Sequence, residues 1–240
     1  TVNGDQRELR KPWWNQIREW QQANPLAYQQ EAGGPIKPQH VIKRLYELTK
    51  DLDPIVSTDV GQHQMWAAQY FKLAKPNRWL TSGGLGTMGF GFPAAMGAQA
   101  AFPGRLVLCI AGDGSIQMNM QEMATAVVHK LPVKIIVLNN RFHGMVRQWQ
   151  DLFYEGRYAS SDLEMTPDFV KLAEAYGAVG LRASKPSEVD AVLKEAIAVN
   201  KPVIVDVPTY RYENVYPMIP AGGCNHEMIL EDPPALKNKQ

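Results

Sequence analysis

Two short polar motifs stand out from this 240-residue chain by residue type and spacing. The first is Gly112-Asp113-Gly114-Ser115 and the second is Asn139-Asn140. Each follows an apolar run of strand length, Leu106–Ile110 and Val133–Leu138 respectively. The residues between the motifs, 115 to 138, suffice for one helix and one strand. If the two strands are neighbours, Asp113 and Asn140 emerge side by side at the carboxyl edge of a sheet, where open α/β folds bind ligands. A carboxylate and an amide oxygen are hard donors that suit Mg²⁺ rather than Zn²⁺. Magnesium completes its octahedron with phosphate oxygens and water. The glycines beside Asp113 let backbone approach a diphosphate, and a following helix N-terminus favours its negative charge. The pattern therefore reads as a Mg–diphosphate site. Taken singly, Gly-Asp-Gly is most often a turn and Asn-Asn a cap or loop; their joint placement at two strand ends carries the reading.

The elements that must position these motifs alternate along the chain. Val41, Ile42, Leu45 and Leu48 mark an amphipathic helix, and Pro54–Thr58 is the strand after it. A helix is expected around Met118–His129 between the two apolar strands. Helices around Phe169–Tyr176 and Val189–Val199 follow, and Pro202–Val207 is a last buried strand. Short β-branched strands alternating with helices imply an α/β fold, a doubly wound parallel sheet with helices on both faces. Residues 36–207 are expected to form this body. Residues 1–35 read as a linker or remnant of a preceding domain, with Trp13, Ile17 and Trp20 at helical spacing and a break at Gly33-Gly34-Pro35. Residues 208–240, rich in Pro, Gly and Asn, are either a disordered terminus or a tail that docks on the body.

Composition narrows the function class. Hydrophobic content of 45% with 20% charged residues is that of an ordinary globular protein. A net charge of +1 with interspersed signs gives no electrostatic case for nucleic acid or an anionic membrane. The weakly polar stretch 83–102 carries five glycines before Pro93, which is wrong for a membrane span. Cys109, inside an apolar run, reads as a small buried hydrophobe; Cys224 has no metal-ligand spacing, and a reducing compartment is expected. There is no Gly-x-Gly-x-x-Gly after the first strand and no phosphate-binding Gly-Lys-Ser/Thr loop, which argues against a generic nucleotide binder.

Gly-Asp-Gly, some two dozen residues and then Asn-Asn resembles the signature of thiamine-diphosphate enzymes. Further segments resemble the acetohydroxyacid (acetolactate) synthases. They are Val60-Gly61-Gln62-His63-Gln64-Met65-Trp66, the glycine-rich Ser82–Gly91, Gly144-Met145-Val146-Arg147-Gln148-Trp149 and Pro217-Met218-Ile219-Pro220. The resemblance runs from about residue 36 to 230. It implies that Asp113, the Asn140 side chain and the Phe142 carbonyl hold Mg²⁺. Val60, Gly61, Gln62, His63, Gly86, Met88, Gly112, Gly114, Ser115, Gly144 and Met145 would bind thiamine diphosphate, Met88 from beneath. Met145, Val146 and Trp149 would line the substrate pocket, with Trp149 favouring 2-ketobutyrate. Without the resemblance, Met88 and the tryptophans would be packing residues and His63 a loop histidine. One departure stands out: His143 occupies a position where the family commonly has Leu, and its ring is free to face solvent, cap a helix or enter the pocket.

The resemblance further implies decarboxylation of pyruvate and condensation with a second 2-ketoacid, in branched-chain amino-acid synthesis. FAD is expected in the full-length enzyme. The activating glutamate is expected in an N-terminal domain that this chain lacks, so no catalytic residue is assigned here and the chain alone should not turn over. A homodimer or tetramer, a small regulatory subunit and a cytoplasmic location (plastidial in a plant) are further expectations. Pyruvate oxidase, glyoxylate carboligase, a catabolic acetolactate synthase and an inactive cofactor-binding module are the rival readings.

Overall fold

The computed structural model of the chain describes residues 6–23 and 26–237. A helix α1 (Arg7–Ala23) comes first, then α2 (Pro38–Thr49), β1 (Ile55–Thr58), α3 (Gln62–Tyr70) and β2 (Trp79–Thr81). There follow α4 (Gly91–Ala101), β3 (Val107–Gly112), a single turn α5 (Asp113–Ile116), α6 (Met123–Val128) and β4 (Lys134–Asn139). The chain continues through α7 (Gly144–Phe153), α8 (Phe169–Ala175), β5 (Val179–Arg182), α9 (Val189–Ala198) and β6 (Val203–Pro208).

The six strands form one sheet in the order β2-β1-β3-β4-β6-β5, parallel throughout. Alternation along each strand divides the core in two. Val56, Leu108, Ile110, Ile136, Val203 and Val205 pack under α2, α3 and α9 through Ile42, Leu45, Trp66, Ala67 and Leu193. Val107, Cys109, Ala111, Ile135, Val137 and Ile204 face the other way, onto Phe92, Met96, Met123, Ala126 and Phe169 of α4, α6 and α8. Helices on both faces explain why the central strands read as unbroken apolar runs. Cys109 is wholly buried, as its surroundings in the sequence imply.

The two motif strands are neighbours: β3 pairs with β4, with Gly112 opposite Leu138. β1 and β3 are also adjacent, and the helices after them pack on opposite faces, α3 on one and α6 on the other. That reversal opens a crevice at the strands' carboxyl ends. The expected helix over 118–129 is shorter than its sequence reads, a turn at Met120–Glu122 leading into α6. Asn119 is drawn away to donate to the Gly89 carbonyl, 2.7 Å, which ties this segment to the glycine-rich loop.

The flanking segments differ from each other. Helix α1 forms, but none of its residues is buried; Trp13, Trp14 and Trp20 are exposed, and the Trp13 and Trp20 rings meet edge to face at 5.5 Å. The tail docks: Asn214, Val215 and Met218 are buried, and Met218 pairs with Ile229 in an antiparallel bridge. No helix among the described residues is long and apolar enough to cross a membrane.

Candidate cofactor site

The segments that leave the ends of β1, β3 and β4 surround one cleft. After β1, Asp59 is fully buried and its carboxylate accepts three backbone N–H groups: Val60 at 2.8 Å, Gly89 at 2.9 Å and Gly91 at 3.1 Å. It thereby clamps the glycine-rich loop 82–91 onto the end of the strand. A Cβ at Gly91 would lie 2.5 Å from the Asp59 nitrogen, so only glycine permits this approach. Gly61 then turns the chain with φ +151°, and α3 begins at Gln62.

After β3, Gly112–Ser115 tighten into α5, where the Ser115 hydroxyl accepts from the Gly112 N–H at 3.0 Å. After β4 the two asparagines part company. Asn139 donates to Asp206 of β6 at 3.0 Å, whereas Asn140 turns into the cleft, donating to Gln62 Oε1 at 3.2 Å and accepting from the Phe142 N–H at 3.1 Å.

Val60, Gly61, Gln62, His63, Gly86, Met88, Gly112, Asp113, Gly114, Ser115, Asn140, Phe142, Gly144, Met145 and Val146 all line this cleft. Trp149 does not. It lies on α7 about one turn beyond Met145 and Val146, half-buried and edge-on to Phe153 at 5.5 Å. Trp66, Leu138 and His143 complete the lining. Of the three directions open to His143, the structure shows the one into the cleft. It makes no side-chain cap for α7, and its ring lies over Gly114, where a Cβ would come within 2.8 Å of it.

The cleft is built to receive polar groups. Three buried side-chain atoms in its lining have no partner within the described chain: Asp113 Oδ2, His63 Nε2 and Trp66 Nε1. Leaving a buried polar atom unpaired costs about 1–3 kcal/mol, so three of them on one cleft favour a polar ligand there. Burial pushes the Asp113 carboxyl from 3.8 up to about 7, against backbone hydrogen bonds that favour the ionised form. Burial likewise lowers His63 to about 4, with the Asp59 charge opposing, so the imidazole is neutral at pH 7. A neutral ring beside an unpaired carboxylate leaves the cleft without a cation of its own to balance the carboxylate. The unpaired oxygen of Asp113 and the amide of Asn140 fit a hard divalent cation. Among the described residues there is no cluster of three His, Cys, Asp or Glu that would favour zinc. At about 200 Å³ the cleft is smaller than the roughly 300–1,000 Å³ of pockets that enclose a whole ligand.

Comparison with known families decides what ligand this geometry serves. Residues 59–207, from the Asp59 clamp to the end of the last apolar strand, match the C-terminal TPP binding domain of thiamine pyrophosphate enzymes. The chain belongs to this family. Thiamine pyrophosphate is thiamine diphosphate, so the cleft formed by three strand ends lies in a domain that binds that cofactor. Among curated proteins, the chain is 51% identical over 223 residues to the acetolactate synthase isozyme 3 large subunit of Escherichia coli, covering 92% of this chain and 38% of that one. It is 48% identical over 227 residues to the mitochondrial acetolactate synthase catalytic subunit of Saccharomyces cerevisiae, covering 93% and 33%. With acetolactate synthase of Mycobacterium bovis it shares 47% over 221 residues, covering 90% and 36%. The chain thus spans just over a third of the length of these relatives.

One contributor escapes a reading of the sequence alone. Asp59 stands at the end of a strand, its only local signal, and the glycines it clamps lie 30 and 32 residues further on.

Proposed function

We propose that this chain is the cofactor-binding part of an acetolactate synthase catalytic subunit, which decarboxylates pyruvate and joins the two-carbon unit to a second 2-ketoacid, pyruvate or 2-ketobutyrate. The observation that carries this reading is the unpaired Asp113 carboxylate oxygen, set among glycines in a cleft whose sequence follows acetolactate synthases over more than nine-tenths of the chain. Thiamine diphosphate, when bound, supplies the carbanion chemistry of such a reaction.

This chain's residues would bind and orient. Asp113, the Asn140 amide oxygen and the Phe142 carbonyl would hold Mg²⁺ against the diphosphate. Backbone at Val60–Gly61, Gly112–Ser115 and the start of α7 would take the remaining phosphate oxygens, with Gln62 and His63 behind them. Met88, half-buried in the lining, would support the ring end of the cofactor. Met145 and Val146 stand where the substrate side chain would pass, and Val146 is exposed at that mouth. Trp149, one turn away, would reach the pocket by turning its ring or through residues outside this chain. The small cleft would be the diphosphate half of a site whose other half, with the activating glutamate, lies elsewhere in the enzyme; an FAD-associated domain and any regulatory subunit would lie outside this chain as well.

Calorimetric titration with thiamine diphosphate, with and without Mg²⁺, tests this. Mg²⁺-dependent binding that Asp113→Ala abolishes is the expected result; binding indifferent to both would overturn the metal assignment. In the whole enzyme supplied with pyruvate and 2-ketobutyrate, acetohydroxyacids are expected as products. Acetate or free aldehyde as the main product would assign the chain to another branch of thiamine-diphosphate enzymes.

A further inference from the structure

Behind the cleft, three buried amide side chains join end to end. Asn140 Nδ2 donates to Gln62 Oε1 at 3.2 Å, and Gln62 Nε2 donates to Gln148 Oε1 at 2.8 Å. Gln148 is wholly buried; its Oε1 also accepts the Val215 N–H at 2.8 Å, while its Nε2 donates to the Val215 carbonyl at 3.0 Å and to Met218 Sδ at 3.1 Å. A carboxamide can be turned end for end at little steric cost, so partners of fixed polarity must decide its sense. Here they are backbone groups. Val215 presents both an N–H and a C=O to Gln148, which allows a single orientation. Gln62 Nε2 additionally donates to the Glu213 carbonyl at 3.0 Å, so its oxygen must point to Asn140. Asn140 is then obliged to offer Gln62 its NH₂ and to leave its oxygen on the side of the Phe142 N–H, 3.1 Å away.

We infer that Gln148 is a positioning residue for the metal site: through Gln62, and together with the Phe142 N–H, it holds the Asn140 amide in the sense that turns oxygen rather than NH₂ to the cation. The inference rests on the proposed Mg–diphosphate reading. An NH₂ group cannot ligate Mg²⁺, so a flipped Asn140 removes one ligand without disturbing the fold. Because the relay ends on Val215 and Met218, docking of the tail also sets the sense of the ligand. Gly144 makes room for it, since a Cβ there would lie 2.1 Å from Gln62 Oε1 and 2.8 Å from Asn140 Nδ2.

The test compares Gln148→Met with Gln148→Glu in the full chain, reading the factor by which Mg²⁺ strengthens thiamine-diphosphate binding in calorimetry. Gln148→Glu keeps an acceptor oxygen for Gln62 and for the Val215 N–H and, protonated in this buried place, donates to the Val215 carbonyl in place of the lost Nε2; Gln148→Met keeps the volume and loses all three. The expected result is that Met cuts the Mg²⁺ enhancement by about tenfold or more, as loss of a group that orients a metal ligand does, while Glu retains most of it. A role confined to packing would weaken binding equally with and without Mg²⁺, leaving the enhancement unchanged in both variants and overturning the inference. Should Gln148→Met fail to fold, loss of the enhancement in Gln148→Glu would overturn it instead. If the wild-type chain shows no Mg²⁺ enhancement, the metal-site reading itself fails, a result distinct from either variant outcome.

Discussion

Asp113 carries, through burial of its carboxyl, a stability cost that is measurable without cofactor. In the metal-free protein its carboxyl is 1% exposed, and burial raises it from 3.8 to about 7. The folded chain therefore holds this proton more tightly than the unfolded chain. The stability so contributed is full below pH 3.8 and is lost as pH rises through about 7. At about 1.36 kcal/mol per pH unit, the whole span corresponds to about 4 kcal/mol, of which about 3 kcal/mol falls between pH 5 and 8. Asp113→Asn keeps the shape and removes the titration.

Urea unfolding in chelator at pH 5 and at pH 8 supplies four stabilities for the two proteins. The wild type is expected to lose about 3 kcal/mol more than Asp113→Asn between those pH values, and the variant to be the more stable of the two at pH 8. Taking the difference between proteins cancels His63, which titrates alike in both. Identical pH dependence, within about 0.5 kcal/mol, would refute the burial argument, because an exposed or already compensated carboxylate has nothing to lose. On the proposed metal reading, a cation would replace the solvation that folding took from this carboxylate.

Two further outcomes are expected. Arg147 is wholly buried and pairs with Asp151, while donating to the Tyr212 and Glu213 carbonyls of the tail. Asp151→Asn leaves that guanidinium uncompensated and should cost about 3–5 kcal/mol in urea unfolding, whereas Arg147→Met with Asp151→Leu should cost less; the reverse order would refute the pairing. Lys134 is buried in β4, donates to the Val199 and Lys201 carbonyls, and is lowered by burial from 10.5 to about 8. Its contribution is present above pH 10.5 and lost as pH falls through about 8, so wild-type stability should gain from this group over that interval, and Lys134→Met should remove the gain in thermal melts.

What the sequence disclosed follows from which signals are local. The central strands β3, β4 and β6 are buried on both faces, and their apolar runs announce them. The edge strands β2 and β5, of three and four residues, are only half-buried and carry no such run. Helix α4 carries no local signal because it is Ala- and Gly-rich, apolar on most sides, and lacks a polar stripe to set its period. Asp113 and Asn140 were legible because one helix and one strand separate them. The direction of His143 depends on the empty face of Gly114, a residue on another strand's end, and no local pattern encodes it.

Gln148 shows the limit of local reading most plainly, and also why the tail belongs to the site. Its nearest fixed partner, Val215, is 67 residues away, and its effect on Asn140 passes through a residue 86 positions earlier. Such a chain of buried amides has value only when every member is satisfied, because a half-satisfied one leaves groups whose desolvation costs more than the remaining bonds return. Gln148 meets that condition with two accepted and two donated bonds, and Gln62 with two donated and one accepted. Three unpaired atoms lie instead on the cleft side, at Asp113, His63 and Trp66. The two glutamines complete their hydrogen bonds behind the cleft while these three atoms stay open within it, a division that favours a polar ligand arriving at an already oriented wall.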